Sequence, residues 1–323
     1  MDARELGRSG VEITRIALGC GNFGGVGSAP HLFGQGESRD EAFAVMDAAW
    51  ELGIRLFDTA ASYGGGRSER WIGEWMAERG RRPVVATKVF HSVTGDPHDR
   101  GLAPERIRRE LAGSLDRLGL DRVELYLVHE PDPETPLELT LEALDEVVRA
   151  DRVGAVGASN VDAGYLERAL SISDEEGLVR FQWVQNAYSL LDREAARDVL
   201  PLCAREELGF TPFGPLAGGW LTGKYRPGEP PPPGSRMATR PEGQEHLLDD
   251  EATFAAVDAF AAEARRRGVD PPALALAWLL CDERVTAVIL GARRPEHLEP
   301  ARAALELELT PAERDELAEL FPE

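Results

Sequence analysis

Arg55-Leu-Phe-Asp58-Thr-Ala-Ala-Ser-Tyr63-Gly-Gly-Gly-Arg-Ser-Glu69-Arg-Trp-Ile-Gly73 is the stretch whose reading decides the fold. A short apolar run ends in a carboxylate, a glycine-rich loop carries a tyrosine, and a helical pattern follows from Ser68. Two later apolar runs also end on a polar group, Val84-Val-Ala-Thr-Lys88 and Leu125-Tyr-Leu-Val-His129. If such strands lie parallel in one closed barrel, their C-terminal ends share one rim. Asp58, Tyr63, Lys88 and His129 then converge there. A carboxylate, a phenol, an ammonium and an imidazole in one pocket make a catalytic arrangement rather than a packing one.

Working outward, the same alternation spans the chain. Candidate strands are Ile16–Leu18, Arg55–Asp58, Val84–Lys88, Leu125–His129, Ala155–Ser159, Trp183–Asn186, Phe210–Phe213 and Ala287–Leu290. Amphipathic stretches lie between them: Arg39–Leu52, Ser68–Arg79, Pro104–Leu118, Leu139–Arg149, Ala163–Leu170, Glu194–Glu206 and Phe254–Arg267. Eight strands alternating with helices predict an α/β fold, a (β/α)8 TIM barrel forming a single domain over residues 1–323. Arg4–Gly7 and Val11–Thr14 flank Arg8-Ser9-Gly10, which predicts an N-terminal β-hairpin capping one end. The interval Arg226–Asp250 holds Pro-Gly-Glu-Pro-Pro-Pro-Pro-Gly-Ser, too rich in Pro and Gly for a helix, and reads as a long rim loop. Thr310-Pro311 opens a final helix over Leu309–Leu320.

The net charge of −21 opposes a nucleic-acid partner, since phosphate would be repelled. Cys20, Cys203 and Cys281 form no paired framework and suit a reducing compartment. The N-terminus lacks an apolar leader core, and no run approaches the roughly 18 apolar residues of a membrane helix. A cytoplasmic protein with no membrane partner and no metal centre is expected.

Gly19-Cys-Gly21-Asn22-Phe23-Gly24 fits G-x-G-x-x-G after a strand. A dinucleotide fold needs the third glycine to open a helix. Here the chain runs on through further loop, and the helix begins near Ser38. The segment is therefore read as a glycine-rich loop whose backbone can approach a ligand closely, with Gly21, Asn22 and Phe23 as candidate contacts.

The segment Asp58–Gly73 resembles the first signature of the aldo-keto reductase family. Val85-Ala-Thr-Lys88 and Leu125–His129 are similar to its lysine and histidine segments, and Gly157–Asn160, Val184–Arg193, Pro215–Tyr225 and Val288–Arg293 to its later ones. The resemblance implies hydride transfer between NADPH and a small-molecule carbonyl, without a metal. It implies Tyr63 as general acid, Lys88 as the cation that lowers the Tyr63 pKa, Asp58 as counter-charge and His129 as orienter of the substrate oxygen. By the same resemblance Ser159, Asn160 and Gln185 hold the carboxamide, with Asp58 nearby, and Phe213 stacks on the nicotinamide. Gly214, Pro215, Leu216, Gly218 and Lys224 wrap the pyrophosphate, with Gly214 where the family often has serine. Gly291, Arg293, Arg294 and His297 lie where the family grips the adenosine end, and the dibasic pair before Pro295 favours a 2′-phosphate, hence NADP. Pro300 and Ala301 replace the family's frequent Glu-Asn. Two rivals remain: a nucleotide-binding regulatory subunit with little turnover, and an aldolase using Lys88 as a Schiff-base nucleophile.

Overall fold

The computed structural model describes residues 1–241 and 244–321. Strands β1 Ala3–Glu5 and β2 Glu12–Thr14 form an antiparallel hairpin. Eight parallel strands follow: β3 Ile16–Gly19, β4 Leu56–Asp58, β5 Val84–Val89, β6 Val123–Val128, β7 Val153–Ser159, β8 Trp183–Gln185, β9 Gly209–Phe210 and β10 Val288–Gly291. They pair in chain order, with β10 returning beside β3. The ring closes between the last two strands, where Thr286 N donates to Phe210 O (2.8 Å) and Ile289 N to Pro212 O (2.9 Å). This is the (β/α)8 barrel.

The helices are α1 Arg39–Glu51, α2 Arg67–Arg79, α3 Pro104–Leu118, α4 Leu137–Arg149, α5 Ala163–Glu176, α6 Val199–Arg205, α7 Arg236–Thr239, α8 Glu251–Arg267, α9 Pro271–Leu280, α10 Glu299–Glu306 and α11 Pro311–Glu319. Local chemistry sets their ends. Ser38 and Glu41 form a capping box at the start of α1, and Thr310 and Glu313 do the same for α11. Gly80, Gly119 and Gly177 end α2, α3 and α5 in the left-handed conformation.

Strand periodicity of two places the site. Ala17, Leu56, Ala86, Leu125, Leu127, Ala155, Trp183, Ala287 and Ile289 pack together inside the barrel. Their alternates, among them Leu18, Phe57, Val85, Tyr126, Val156 and Val184, face the surrounding helices. Continuing the inward set by two residues reaches Asp58, Lys88, His129 and Gln185, so those side chains must point into the barrel mouth. Leu6 and Ile13 of the hairpin join the inward cluster. A Cβ at Gly7 would lie 2.1 Å from Gln182 O, so the hairpin seals the opposite end against the starts of β8 and β9.

Three features depart from expectation. The seventh barrel strand stops at Phe210 rather than Phe213, because Pro212 has no N–H for the ladder. Helix α9 was not expected, since Ala273–Leu279 is buried all round and shows no amphipathic period. The long rim segment is not wholly loop: Ser235 caps the short α7, and a 3-10 turn spans Glu245–Asp249. Its residues 242–243 lie outside the described set.

Candidate active site

Lys88 is fully buried at the end of β5. Its Nζ donates to Asp58 Oδ2 (2.7 Å), to Thr59 O (2.9 Å) and to Tyr63 Oη (3.3 Å). These three partners use all three ammonium donors. The other carboxylate oxygen, Asp58 Oδ1, accepts from Gln185 Nε2 (2.8 Å). Tyr63 opens a 3-10 turn in which Gly64, Gly65 and Gly66 all have positive φ. At Gly64 a side chain would also strike the backbone of Phe23 and Gly24, so glycine is required there. His129 follows β6, its ring edge-on to Tyr63 with centroids 5.6 Å apart.

Electrostatics define what each group can do. Burial by itself would lower the Lys88 ammonium, but the charges and hydrogen bonds of Asp58 and Tyr63 outweigh it and hold the pKa above its ordinary value. Burial pushes the Tyr63 phenol up, and Lys88 offsets this only in part. Lys88 thus lowers the phenol's pKa in the expected direction, but burial outweighs it, so the phenol rests as a neutral acid and Lys88 limits the energy of forming its anion. Burial, reinforced by Lys88 and His91, drives the His129 pKa well down, so its imidazole is neutral. Its Nδ1 is buried without a hydrogen-bond partner among the described residues.

The mouth opens into a cavity of about 1220 Å³. That exceeds the roughly 1,000 Å³ upper range of ordinary small-molecule pockets and suits an elongated ligand. Asp58, Tyr63 and His129 line it, as do Gly21, Asn22, Ser159, Asn160, Gln185, Phe213, Gly214, Pro215, Leu216, Gly218, Lys224, Gly291, Arg293 and His297. Lys88 sits behind Asp58 and Tyr63 rather than on the wall. Two expected contacts fall elsewhere. Phe23 is fully buried in the helix-facing core, and the Arg294 side chain is 74% exposed and outside the cavity lining.

Ser159 Oγ donates to Gln185 O (2.7 Å), and Asn160 Nδ2 donates to His129 O (2.9 Å). Asn160 adopts φ 55°, a left-handed conformation that asparagine tolerates better than most residues. With the Gln185 and Asn160 amide nitrogens engaged, their carbonyl oxygens remain as acceptors, which suits a primary carboxamide. Backbone at Gly214 and Gly291 is open, since a Cβ there meets nothing within 4 Å among the described residues. Burial and Arg293 both lower the Lys224 ammonium. These acceptors, exposed backbone and cations fit a nicotinamide dinucleotide.

Other cavity residues were missed from sequence. Arg293 Nε donates to Glu37 Oε1 (2.5 Å), and the same guanidinium bonds Gly234 O of the long rim segment. It is therefore an ion-paired cation rather than the open phosphate ligand expected. Glu37 is 256 positions from Arg293 and matches no motif. His91, which packs edge-on to His129 with centroids 4.8 Å apart, also lines the cavity. Phe23, Phe33, Phe90, Trp220 and Tyr188 are the aromatic residues that the sequence offers as apolar walls of a substrate pocket; Phe23, Phe90 and Trp220 are core, Phe33 is half-buried outside the cavity lining, and Tyr188 touches the cavity.

A closed parallel barrel with a buried lysine–carboxylate–tyrosine cluster and a neutral histidine at its C-terminal mouth defines a barrel oxidoreductase. The model of the Aldo/keto reductase family matches residues 15–321, and the chain belongs to that family. It is 35% identical to an uncharacterized oxidoreductase, YrpG, of Bacillus subtilis, over all of this chain and 96% of the relative. It is 33% identical to a probable voltage-gated potassium channel subunit beta of Oryza sativa subsp. japonica, covering 95% and 92%. The solved glycerol dehydrogenase AKR11B4 from Gluconobacter oxydans superposes with a TM-score of 0.83 at 27% identity, over 99% of this chain and 94% of that one. Among the described residues no helix is long and apolar enough to cross a membrane.

Proposed function

We propose that the protein is an NADPH-dependent reductase of aldehyde or ketone carbonyls, sugar-like ones included, working as one domain over residues 1–323. The observation that carries this reading is the Lys88 ammonium shared between Asp58 Oδ2 and Tyr63 Oη beside neutral His129. When bound, the cofactor supplies the hydride. Tyr63 gives its phenolic proton to the developing alkoxide. Lys88 stabilises the phenolate left behind, and Asp58 keeps Lys88 charged. His129, being neutral, orients the carbonyl oxygen by a hydrogen bond rather than by charge. Ser159, Asn160 and Gln185 would hold the carboxamide, Phe213 would face the ring, and Gly214, Pro215, Leu216 and Gly218 with Lys224 would take the pyrophosphate. Lys224 gives the adenosine end positive character that favours a 2′-phosphate, and Arg294 adds charge from the rim, while Arg293 is ion-paired to Glu37. Buried, unpaired Cys20 and Cys203 support a cytoplasmic setting.

Oxidation of NADPH across a panel of aldehydes, quinones, dicarbonyls and keto-sugars, in parallel with NADH, tests the reading. Turnover of some carbonyl is expected, and none across the panel would oppose it. The rice channel-subunit relative favours one second reading, a nucleotide-binding regulatory subunit with little turnover. Slow single-turnover oxidation of bound NADPH without steady-state activity would select it. The aldolase reading is disfavoured, because a saturated, protonated Lys88 is not nucleophilic.

A further inference from the structure

The carboxylate of Glu37 is a feature the proposed chemistry does not use. Glu37 lies at the end of the glycine-rich loop, directly before the Ser38 cap of α1, and its side chain is 2% exposed. The backbone fixes it there: Glu37 N donates to Asn22 O (2.9 Å), and Gly24 N donates to Glu37 O (3.0 Å). One oxygen accepts from Arg293 Nε, and the other, Oε2, is buried with no hydrogen-bond partner among the described residues. Both residues line the cavity at the end where Lys224, Gly291 and His297 gather.

A 2′-phosphate brought to Arg293 would have to share that guanidinium with a carboxylate that cannot retreat, and the two anions repel. A ribose hydroxyl meets no such penalty. It carries no charge and so is not repelled by Glu37. We infer that Glu37 is a specificity-determining residue of the cofactor site: it neutralises Arg293 with a carboxylate held in place, so that the chain takes NADH as well as NADPH. The inference rests on the nicotinamide-cofactor reading above, and Lys224 and Arg294 remain the cations that still favour the phosphate.

Titration of the full chain with NADPH and with NADH, followed by quenching of tryptophan fluorescence, tests this without any substrate. The two dissociation constants of the wild type are expected within about tenfold of each other, a difference of about 1.4 kcal/mol or less. Glu37→Gln removes the charge and keeps the shape. It should shift the ratio toward NADPH by about tenfold, the same 1.4 kcal/mol. Glu37→Asp should stay near the wild-type ratio. Adding Arg293→Gln to Glu37→Gln should abolish the gain, which is the double-mutant signature of a pair acting together.

Equal changes in both constants on Glu37→Gln would reduce Glu37 to a loop-building residue and overturn the inference. So would a wild type that discriminates against NADH by more than about a thousandfold, about 4 kcal/mol. If Glu37→Gln alone does not fold, the double variant Glu37→Gln/Arg293→Gln, which leaves no unpaired charge, decides: its ratio of the two constants should stay within about tenfold of wild type, and a selective loss of NADPH affinity of about a hundredfold overturns the proposal. Binding of neither dinucleotide would instead remove the cofactor reading itself, and this inference with it.

Discussion

Replacing Lys88 by methionine tests the centre of the chemistry, because it removes the charge while nearly preserving volume. Lys88 Nζ lies 3.3 Å from Tyr63 Oη. At an effective dielectric near 20, an ammonium and a phenolate at that distance attract by about 5 kcal/mol. Asp58, also bonded to the ammonium, opposes part of this, and the proton is only partly transferred at the transition state. About half the attraction, roughly 2.5 kcal/mol, is a fair upper expectation, which corresponds to a fall in kcat of up to about a hundredfold. The same substitution leaves Asp58 buried with Gln185 as its remaining side-chain partner. Breaking a buried pair from one side costs about 3–5 kcal/mol of stability. The two effects separate in the double variant Lys88→Met with Asp58→Asn, which should recover most of the stability and none of the rate. Urea unfolding reads the first quantity, and kcat on a fixed aldehyde at saturating NADPH reads the second. If Lys88→Met keeps kcat within about threefold of wild type, less than 1 kcal/mol of barrier, the ammonium does not stabilise the phenolate and the argument fails.

Tyr63→Phe should lower carbonyl reduction by about 10²–10⁴, the range for losing a general acid, while the dissociation constant for NADPH, read by fluorescence, is unchanged. Glu69 is fully buried, accepts from Thr87 Oγ1 and pairs with Arg117 at 2.6 Å, so Glu69→Ala should lower the unfolding free energy by about 3 kcal/mol in urea. His91 gives a pH test. Burial, reinforced by Arg240, Arg100 and Arg106, lowers its pKa from 6.5 to about 4. Between those values the unfolded chain binds a proton that the folded chain refuses, so this contribution is present above pH 6.5 and lost as pH falls toward about 4. His91→Phe should therefore lose less stability than wild type across that window in parallel urea titrations, and identical pH dependence would contradict the assigned burial.

What was legible in the sequence depended on local periodicity. The strand ends at Asp58, Lys88, Ser159 and Gln185 could be counted out because apolar runs stop there and polar residues take over. Helix α9 was hidden because an element buried on every side carries no contrast between faces. The end of β9 was misjudged because a proline reads as a weak local signal until its missing ladder bond is counted. At the adenosine end the two arginines were visible, but the charge that neutralises one of them was not. Glu37 and Arg293 meet only once the barrel has closed, and no pattern in either segment announces the other. The net balance on the Tyr63 phenol was hidden for a related reason. The neighbouring ammonium can be named from a motif, whereas the depth of burial that outweighs it belongs to the folded molecule.

The alternation along the strands has a consequence for how such a protein can change over evolutionary time. Leu56 and Asp58, Ala86 and Lys88, Leu127 and His129, and Trp183 and Gln185 are each spaced by two. A point substitution leaves that count intact. A single-codon insertion or deletion inside β5 would exchange Lys88 for an outward neighbour such as Thr87, and the machinery would vanish while the strand itself still formed. Extra residues in the rim segments, by contrast, would reshape the entrance without shifting that count.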